Sequence, residues 1–182
     1  MKKNKLLLAS AIVISLLTPM SQVKADWHQD NVGWWYSLND GSYYKNTEAK
    51  INEKWYKFDD RGYMMTGWQP IAERNATSLK KINWSYFDPV NGDKKLGWQN
   101  IDGKWYYLTR SGALIGEQLI DGKNYYFDPV NRDLKTGWLD LNGTRYYADP
   151  NDGGAFAMNK TLIIDGVSYT FSSGGSVINN EP

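Results

Sequence analysis

Short aromatic or aliphatic runs alternate with polar turns along residues 26–182. A two-residue Asp-Gly or Asn-Gly loop between two such runs is a strong hairpin signal, because both residues accept the positive φ angles of a tight turn. Loops of this kind include Asp102-Gly103, Asp121-Gly122, Asn142-Gly143 and Asp165-Gly166. No window after residue 25 keeps the 3.6-residue apolar period of a helix. The pattern therefore predicts an all-β chain of short hairpins.

The hairpins recur about every 20 residues. The clearest copies, Gly97 to Leu119 and Ile120 to Trp138, each contain a Trp, a turn, an aromatic strand and a glycine turn. Two positions mark each copy. The upstream position is the one that Trp occupies in the Gly-Trp pairs, and the downstream position is that of the first aromatic residue in the strand that follows. The upstream residues are Trp27, Glu48, Trp68, Trp98, Glu117, Trp138 and Thr161. The downstream residues are Trp35, Trp55, Trp84, Trp105, Asn124, Arg145 and Ser168, which gives seven repeats.

A single hairpin of this size buries too little apolar surface to be stable in water. Each hairpin is therefore expected to stack on its neighbours, as in a solenoid whose repeats contact only adjacent repeats. The third repeat is longer because of a polar insert from Ala72 to Lys81, which we interpret as a surface loop. We expect an all-β solenoid of about seven stacked hairpins over residues 26–182.

Residues 1–25 have the pattern of a cleaved signal peptide, here called the leader. Lysines near the N-terminus precede an apolar run from Leu6 to Leu17, and the small residues Val23 and Ala25 flank the expected cut. The apolar run is shorter than the roughly 20 residues of a spanning helix, and no later stretch approaches that length. The sequence predicts a secreted chain, residues 26–182, without a membrane span.

Charge and composition narrow the function classes. The leader carries four lysines and no acid, so the net charge of +1 (21 basic, 20 acidic residues) becomes −3 (17 basic, 20 acidic). Basic and acidic residues alternate without forming the basic patch of a nucleic-acid-binding protein. The absence of cysteine excludes thiol chemistry, and His28 is the single histidine on which a catalytic triad or zinc site would depend. We therefore expect no enzyme, metal or cofactor.

Two acidic turns, at Asp88 to Asp93 and Asp128 to Asp133, loosely suggest calcium loops. They lack the alternating carboxylates and closing Glu of an EF-hand. Proline at the second position is an ordinary turn choice. We interpret both segments as turns.

The chain contains nine Trp and thirteen Tyr. Many must form the core, because Trp and Tyr favour strands and bury a large area. Along a strand, alternation puts Trp105 and Tyr107 on one face and Tyr106 and Leu108 on the other. A core role alone does not explain paired Trp about seven residues apart on one hairpin. Two indoles and a Tyr of the next repeat would wall an uncharged site for a quaternary ammonium, or for a sugar ring.

The recurring Gly-Trp, Gly-x-Trp-Tyr-Tyr and Gly-Ala elements resemble the choline-binding repeat of streptococcal and related surface proteins. Residues 33–68 are similar to the start of a choline-binding module of the pneumococcal autolysin type, and the resemblance covers Asp26 to Asn180. It implies a β-solenoid that binds phosphocholine on teichoic acids. It also implies that each cage consists of two Trp of one repeat and a Tyr of the next.

Three repeats carry Trp at both positions and are the candidate choline sites. The implied choline-binding residues are Trp27 with Trp35, Trp68 with Trp84, Trp98 with Trp105, and the closing residues Tyr107 and Tyr126. The closing position of the first pair is Lys57, so either Tyr56 serves there or that cage is open. The other four repeats are expected to be structural, and Arg145 is expected to repel a cation.

The leading hypothesis is a non-catalytic protein attached non-covalently to the cell wall through choline or phosphocholine of wall or lipoteichoic acid. Several weak sites on one rod would raise the effective affinity. An adhesin contact with a host matrix protein and a homodimer are further hypotheses.

The alternative is a glucan- or polysaccharide-binding repeat protein, because the hairpin arrays of glucosyltransferases and clostridial toxins also resemble this pattern. A wall hydrolase would need a catalytic domain, for which the repeats leave no room. Paired Trp in the first, third and fourth repeats favours choline, whereas the Trp-poor last three repeats resemble the sugar-binding arrays.

Overall fold

A computed structural model describes residues 24–71 and 83–181. The predicted insert and residues 1–23 of the leader lie outside these ranges. The described residues form eighteen strands in seven small antiparallel sheets, with one short 3-10 helix, η1 (Pro150–Asp152), and no α-helix. Within these ranges, no helix is long and apolar enough to cross a membrane. The prediction of an all-β array of stacked hairpins is confirmed.

Each repeat is built on one hairpin. The hairpins of the first to seventh repeats are β1 (Asp26–Gln29) with β2 (Trp34–Ser37), β3 (Thr47–Ile51) with β4 (Lys54–Phe58), β6 (Gly67–Ile71) with β7 (Asn83–Phe87), β8 (Gly97–Ile101) with β9 (Lys104–Thr109), β11 (Gly116–Ile120) with β12 (Lys123–Phe127), β13 (Gly137–Leu141) with β14 (Thr144–Asp149), and β16 (Lys160–Ile164) with β17 (Val167–Phe171). A third strand joins four of them: β5 (Met64–Met65), β10 (Gly112–Ala113), β15 (Ala155–Phe156) and β18 (Val177–Glu181).

The tight turns have the backbone that their sequences predict. Asp102 and Gly103 have φ angles of 50° and 78°, and the other three predicted pairs also have positive φ at both residues. The second repeat makes the same turn with Asn52 and Glu53, at 46° and 67°. Glu53 is unfavourable there, since a Cβ in the left-handed region clashes with the following carbonyl.

A column of buried side chains runs through the stack. It contains the equivalent residue of the second hairpin strand in the second to seventh repeats, each at most 2% exposed: Phe58, Phe87, Leu108, Phe127, Ala148 and Phe171. Alternation along the strand buries Tyr106 with Leu108 and leaves Trp105 about half exposed. The core face and the Trp face are therefore opposite sides of one short strand.

Backbone hydrogen bonds also join successive repeats. The amide of Lys94, in the third repeat, donates to the carbonyl of Trp55 at 2.8 Å. The amide of Leu134, in the fifth, donates to the carbonyl of Trp105 at 2.7 Å. Both donors lie in the segment that follows a hairpin, which we call the return segment. These bonds therefore fix the spacing of successive repeats along the stack.

Candidate functional site

Three cavities lie between successive repeats, and each is walled by two Trp of one hairpin and a Tyr of the next. We call them the N-terminal cavity (Trp27, Trp34, Tyr56), the middle cavity (Trp68, Trp84, Tyr106) and the C-terminal cavity (Trp98, Trp105, Tyr125). Their volumes are about 380, 170 and 450 Å³. Trp thus lines a cavity in the same three repeats that the sequence singles out.

The upstream Trp is the fixed wall of each cavity. The Trp98 ring lies 4.9 Å from the Tyr125 ring and 5.3 Å from the Tyr107 ring, both edge to face. Edge-to-face contacts at this spacing are favourable for aromatic rings. The downstream Trp105 is instead 48% exposed, and its ring centroid lies 6.4 Å from that of Trp98. One indole is held by the core, and the other stands at the cavity edge.

The N-terminal cavity uses Trp34 and not the predicted Trp35. Strand β1 pairs Trp27 with Tyr36, just as β8 pairs Trp98 with Tyr107, so Trp34 is the equivalent of Trp105. Trp35 points to the other face, where its ring lies 5.3 Å from that of His28 and 6.2 Å from that of Tyr63. Two consecutive Trp made the register ambiguous by one residue, which in a strand changes the face.

The closing Tyr also differs from the prediction in two cavities. Tyr106 and Tyr125 close the middle and C-terminal cavities instead of Tyr107 and Tyr126. Tyr107 pairs with Trp98 of its own hairpin, and Tyr126 pairs with Glu117 of its own hairpin. The face towards the preceding repeat is the core face, so the closing Tyr is one residue earlier than predicted.

Tyr56 closes the N-terminal cavity, with its ring 4.8 Å from that of Trp27. That cavity therefore has its third aromatic wall, although Lys57 occupies the position from which a Tyr was predicted.

Sequence reasoning missed two further contributors to the cavities. Met64 lines the N-terminal cavity and Leu134 the C-terminal cavity, each from the return segment of the next repeat. The cavity rim comes from the turn two repeats further along the chain. The rim residues are Val90 and Asn91 for the N-terminal cavity, Asn131 and Arg132 for the middle cavity, and Pro150, Gly153 and Gly154 for the C-terminal cavity.

The acidic turns that loosely suggested calcium loops are closed by their own amides and lysines. Asp88 accepts hydrogen bonds from the amides of Val90 and Asn91 at 2.8 Å and pairs with Lys95 at 2.8 Å. The Lys95 ammonium and these amides lower the pKa of Asp88 to about 2. The equivalent amides and Lys135 lower the pKa of Asp128 to about 2 as well. Among the described residues, no cluster of three or more His, Cys, Asp or Glu could hold a metal ion.

Two cationic side chains of the protein itself lie beside repeats that lack paired Trp, the second and the sixth. Lys94 is paired with Glu48 at 3.0 Å, and its ammonium lies 5.7 Å from the centre of the Phe87 ring. The Arg145 guanidinium lies 4.2 Å from the centre of the Trp138 ring. Arg145 thus covers the indole face of the sixth repeat.

A larger cavity, of about 660 Å³, lies beside the second repeat and differs in chemistry. Its lining includes the charged residues Glu48, Lys57, Lys94 and Arg110. Glu48 pairs with Lys94, and the Lys57 ammonium donates to the carbonyl of Pro70 at 2.6 Å. Size alone would favour this cavity, but it has no Trp wall, and its cations Lys57 and Lys94 already have partners. We therefore place the candidate site in the three aromatic cavities.

Comparison with known proteins relates the sequence to one family. A family model described as a choline-binding repeat matches residues 95–137, and a model described as a putative cell wall binding repeat matches residues 136–153. The first match includes all three aromatic walls of the C-terminal cavity. Residues 95–153 therefore match repeats of this family.

Solved structures agree with this assignment. Choline-binding protein F from Streptococcus pneumoniae is 38% identical with a TM-score of 0.70, over 84% of this chain and 46% of that protein. CbpJ from the same organism is 35% identical with a TM-score of 0.69, over 85% of this chain and 48% of that one. Repeats of this family bind choline-containing ligands of the cell wall.

Curated relatives match more distantly. Glucosyltransferase-S of Streptococcus downei is 30% identical over 93 residues, which are 47% of this chain and 6% of that enzyme. The lysin of Pneumococcus phage Dp-1 is 28% identical over 130 residues, 52% of this chain and 44% of the lysin. The chain spans less than half the length of these relatives, so their catalytic activities are not transferred to it.

Proposed function

We propose that this chain is a non-catalytic, secreted surface protein that binds phosphocholine of wall or lipoteichoic acid through the N-terminal, middle and C-terminal cavities. The observation that carries the proposal is that two Trp and one Tyr, without an acid or base among these three walls, line each cavity. A quaternary ammonium has no N–H to satisfy, and aromatic faces attract it by about 2 kcal/mol once water is excluded.

Three cavities on one stacked array also support attachment to a polymer. Backbone bonds between repeats hold the cavities at fixed separations, so binding at one raises the effective concentration of polymer at the others. Attachment would then be strong although each contact is weak. Contact with a host matrix protein and pairing of the chain into a homodimer stay predictions.

Retention on a choline or diethylaminoethyl support tests the proposal. The chain should be retained at moderate salt and should elute with free choline. Retention that choline does not reverse would mean that the support acts only as an ion exchanger, and it would contradict the proposal.

A glucan-binding function is the second candidate, supported by the match to glucosyltransferase-S. It predicts that soluble dextran, and not choline, elutes the chain from an immobilised glucan. The paired Trp favour choline, and we expect dextran to leave retention on the choline support unchanged.

A further inference from the structure

A further cavity, of about 180 Å³, lies at the first repeat and is not walled by a Trp pair. We call it the end cavity, and its lining residues are Asp30, Trp35, Tyr43, Arg61 and Tyr63. None of these residues lines any of the three aromatic cavities. A ligand in the end cavity therefore does not compete for space with a ligand in the others.

Strand register relates the end cavity to the rest of the array. Trp35 pairs with His28 as Tyr106 pairs with Gln99, so Trp35 occupies the position of a closing Tyr. Tyr43 comes from the return segment of the same repeat. Strand β1 is the first strand of the described residues, so no paired Trp of an earlier described hairpin stands opposite these two rings. The end cavity thus has a closing wall without the Trp pair that defines the other cavities.

Two aromatic side chains give the end cavity its apolar surface. Trp35 is half-buried, and the ring of His28 stacks on it at 5.3 Å. His28 does not line the cavity, so the indole surface that lines it is not the one beneath the imidazole. Tyr43 is 45% exposed and packs over Gly62, where any Cβ would lie 2.5 Å from the Tyr43 ring. Both aromatic surfaces are therefore held in place by the protein itself.

Asp30 is a fixed hydrogen-bond acceptor beside this surface. Its Oδ1 accepts from the amides of Val32 at 2.8 Å and Gly33 at 3.1 Å, and its Oδ2 accepts from the Tyr63 hydroxyl at 2.9 Å. The hydrogen bonds from these two amides, and then the one from Tyr63, lower the pKa of Asp30. An ionised carboxylate has about four acceptor sites, so Asp30 can still accept a hydrogen bond from a ligand.

Cations of the chain already lie over two aromatic rings of the end cavity. The Arg61 guanidinium lies 5.4 Å from the centre of the Tyr63 ring and pairs with Asp59 at 3.4 Å. The Lys45 ammonium lies 6.0 Å from the centre of the Tyr43 ring. A ligand cation would meet repulsion from both, because like charges at short range disfavour each other. A neutral ligand meets no such repulsion and requires no unpaired charge on either residue.

We propose that the end cavity binds one hexose ring of a neutral glycan, with the ring against Trp35 and Tyr43 and a hydroxyl donating to Asp30. A sugar ring presents C–H groups on its faces and hydroxyls around its edge, which matches aromatic surfaces beside a fixed polar group. Cavities that enclose a drug-sized ligand have about 300 Å³ or more, so one of about 180 Å³ suits a single ring of a longer chain. This site is independent of choline binding, because no lining residue is shared.

NMR titration of the full chain in the presence of saturating choline tests the proposal. The probes are a soluble tetramer of N-acetylglucosamine, which represents a wall-type glycan, and dextran, which represents an α-glucan. The indole N–H signal of Trp35 should shift saturably with at least one of them. Either result supports the proposal, and the probe that binds identifies the source of the hexose. No saturable shift with either probe in the millimolar range, or displacement of the sugar by choline, would overturn it.

The adjacent tryptophans of strand β2 provide matched variants. Trp35→Ala should weaken sugar binding about 5- to 10-fold and leave choline affinity within about twofold. Trp34→Ala should weaken choline binding at the N-terminal cavity and leave sugar affinity within about twofold. A urea titration of both variants checks that they remain folded. Equal effects of the two changes on sugar binding would contradict the placement of the ring on Trp35.

Asp30→Asn tests the hydrogen bond without removing apolar surface. The amide keeps one oxygen for the backbone of the turn, but it replaces a charged acceptor with a weaker neutral one, so sugar affinity should fall about fivefold. Asp40→Asn is the matched control, because Asp40 accepts from the amide of Ser42 at 2.9 Å and lines none of the cavities described above. An unchanged affinity in Asp30→Asn, or an equal loss in Asp40→Asn, would overturn the role of the carboxylate. Absence of choline binding by the unaltered chain would instead overturn the proposed function and leave the sugar titration unaffected.

Discussion

Replacing Trp105 by Ala should weaken choline binding without disturbing the fold. Trp105 is 48% exposed, and its ring is 6.4 Å from that of Trp98, so its removal exposes little core. A change at such a position alters the free energy of unfolding by about 0.5 kcal/mol or less. The same change removes one of the three faces around the cation.

The expected loss of binding follows from the strength of one cation–π contact. With about 1–2 kcal/mol per face in a partly desolvated site, choline binding at the C-terminal cavity should weaken about 5- to 30-fold. Calorimetry in a chain that also carries Trp34→Ala and Trp84→Ala would measure this cavity alone. A urea titration of the same variants would check that the free energy of unfolding is retained.

Trp55→Ala is the matched control. Trp55 occupies the same position of its strand and is 38% exposed, but the upstream residue of its repeat is Glu48, and Trp55 lines none of the three aromatic cavities. The control should keep wild-type choline affinity. Equal losses from Trp105→Ala and Trp55→Ala, or no loss from Trp105→Ala, would refute the assignment of the C-terminal cavity.

Four more changes test other features. Arg145→Trp should uncover the sixth repeat's indole but leave the choline stoichiometry in calorimetry unchanged, because the rim of that cavity would have to come from two repeats further along, beyond the seven of this array; a stoichiometry raised by one would count against the need for a rim turn. Glu53→Gly should raise the free energy of unfolding by about 1 kcal/mol in a urea titration, because glycine adopts the turn's positive φ; a decrease would contradict this. Phe127→Ala should cost about 3–5 kcal/mol of unfolding free energy, since Phe127 is fully buried; a loss under about 1 kcal/mol would contradict its core role. The lowered pKa of Asp88 and Asp128, about 2 against 3.8, makes their stabilisation fully present above pH 3.8 and lost as the pH falls through about 2; replacing both by Asn should flatten unfolding free energy against pH in that window, and an unaltered slope would refute their contribution.

The sequence carried enough information to predict the fold and the three repeats in which paired Trp line a cavity. Asp-Gly and Asn-Gly loops fixed the hairpins, because few other residue pairs accept two positive φ angles. The second repeat shows the limit of that signal, since Asn52 and Glu53 make the same turn. Paired Trp identified the three repeats whose cavities are aromatic, because both Trp of a pair lie on one hairpin and are found from the sequence of that repeat alone.

The individual wall residues were harder to predict because each depends on register. Trp34 and Trp35 are adjacent, and only strand pairing decides which of them shares a face with Trp27. Tyr106 was missed for a related reason. Alternation along the strand puts Tyr106 and Tyr107 on opposite faces, but it does not say which of these faces contacts the preceding repeat. The rim residue Arg132 comes from two repeats away, a distance that the local pattern does not encode.

The position of the rim turn sets a counting rule for the array. A complete cavity draws its Trp from one repeat, its Tyr from the next and its rim from the one after, as the turn at Pro150 does for Trp98. An array of n repeats can therefore complete at most n − 2 cavities, so seven repeats allow five. The last two repeats complete sites begun earlier in the chain, and removing the sixth would damage the C-terminal cavity while leaving both its Trp in place. Ligand capacity thus depends on where an array is extended or cut as much as on the number of Trp it contains.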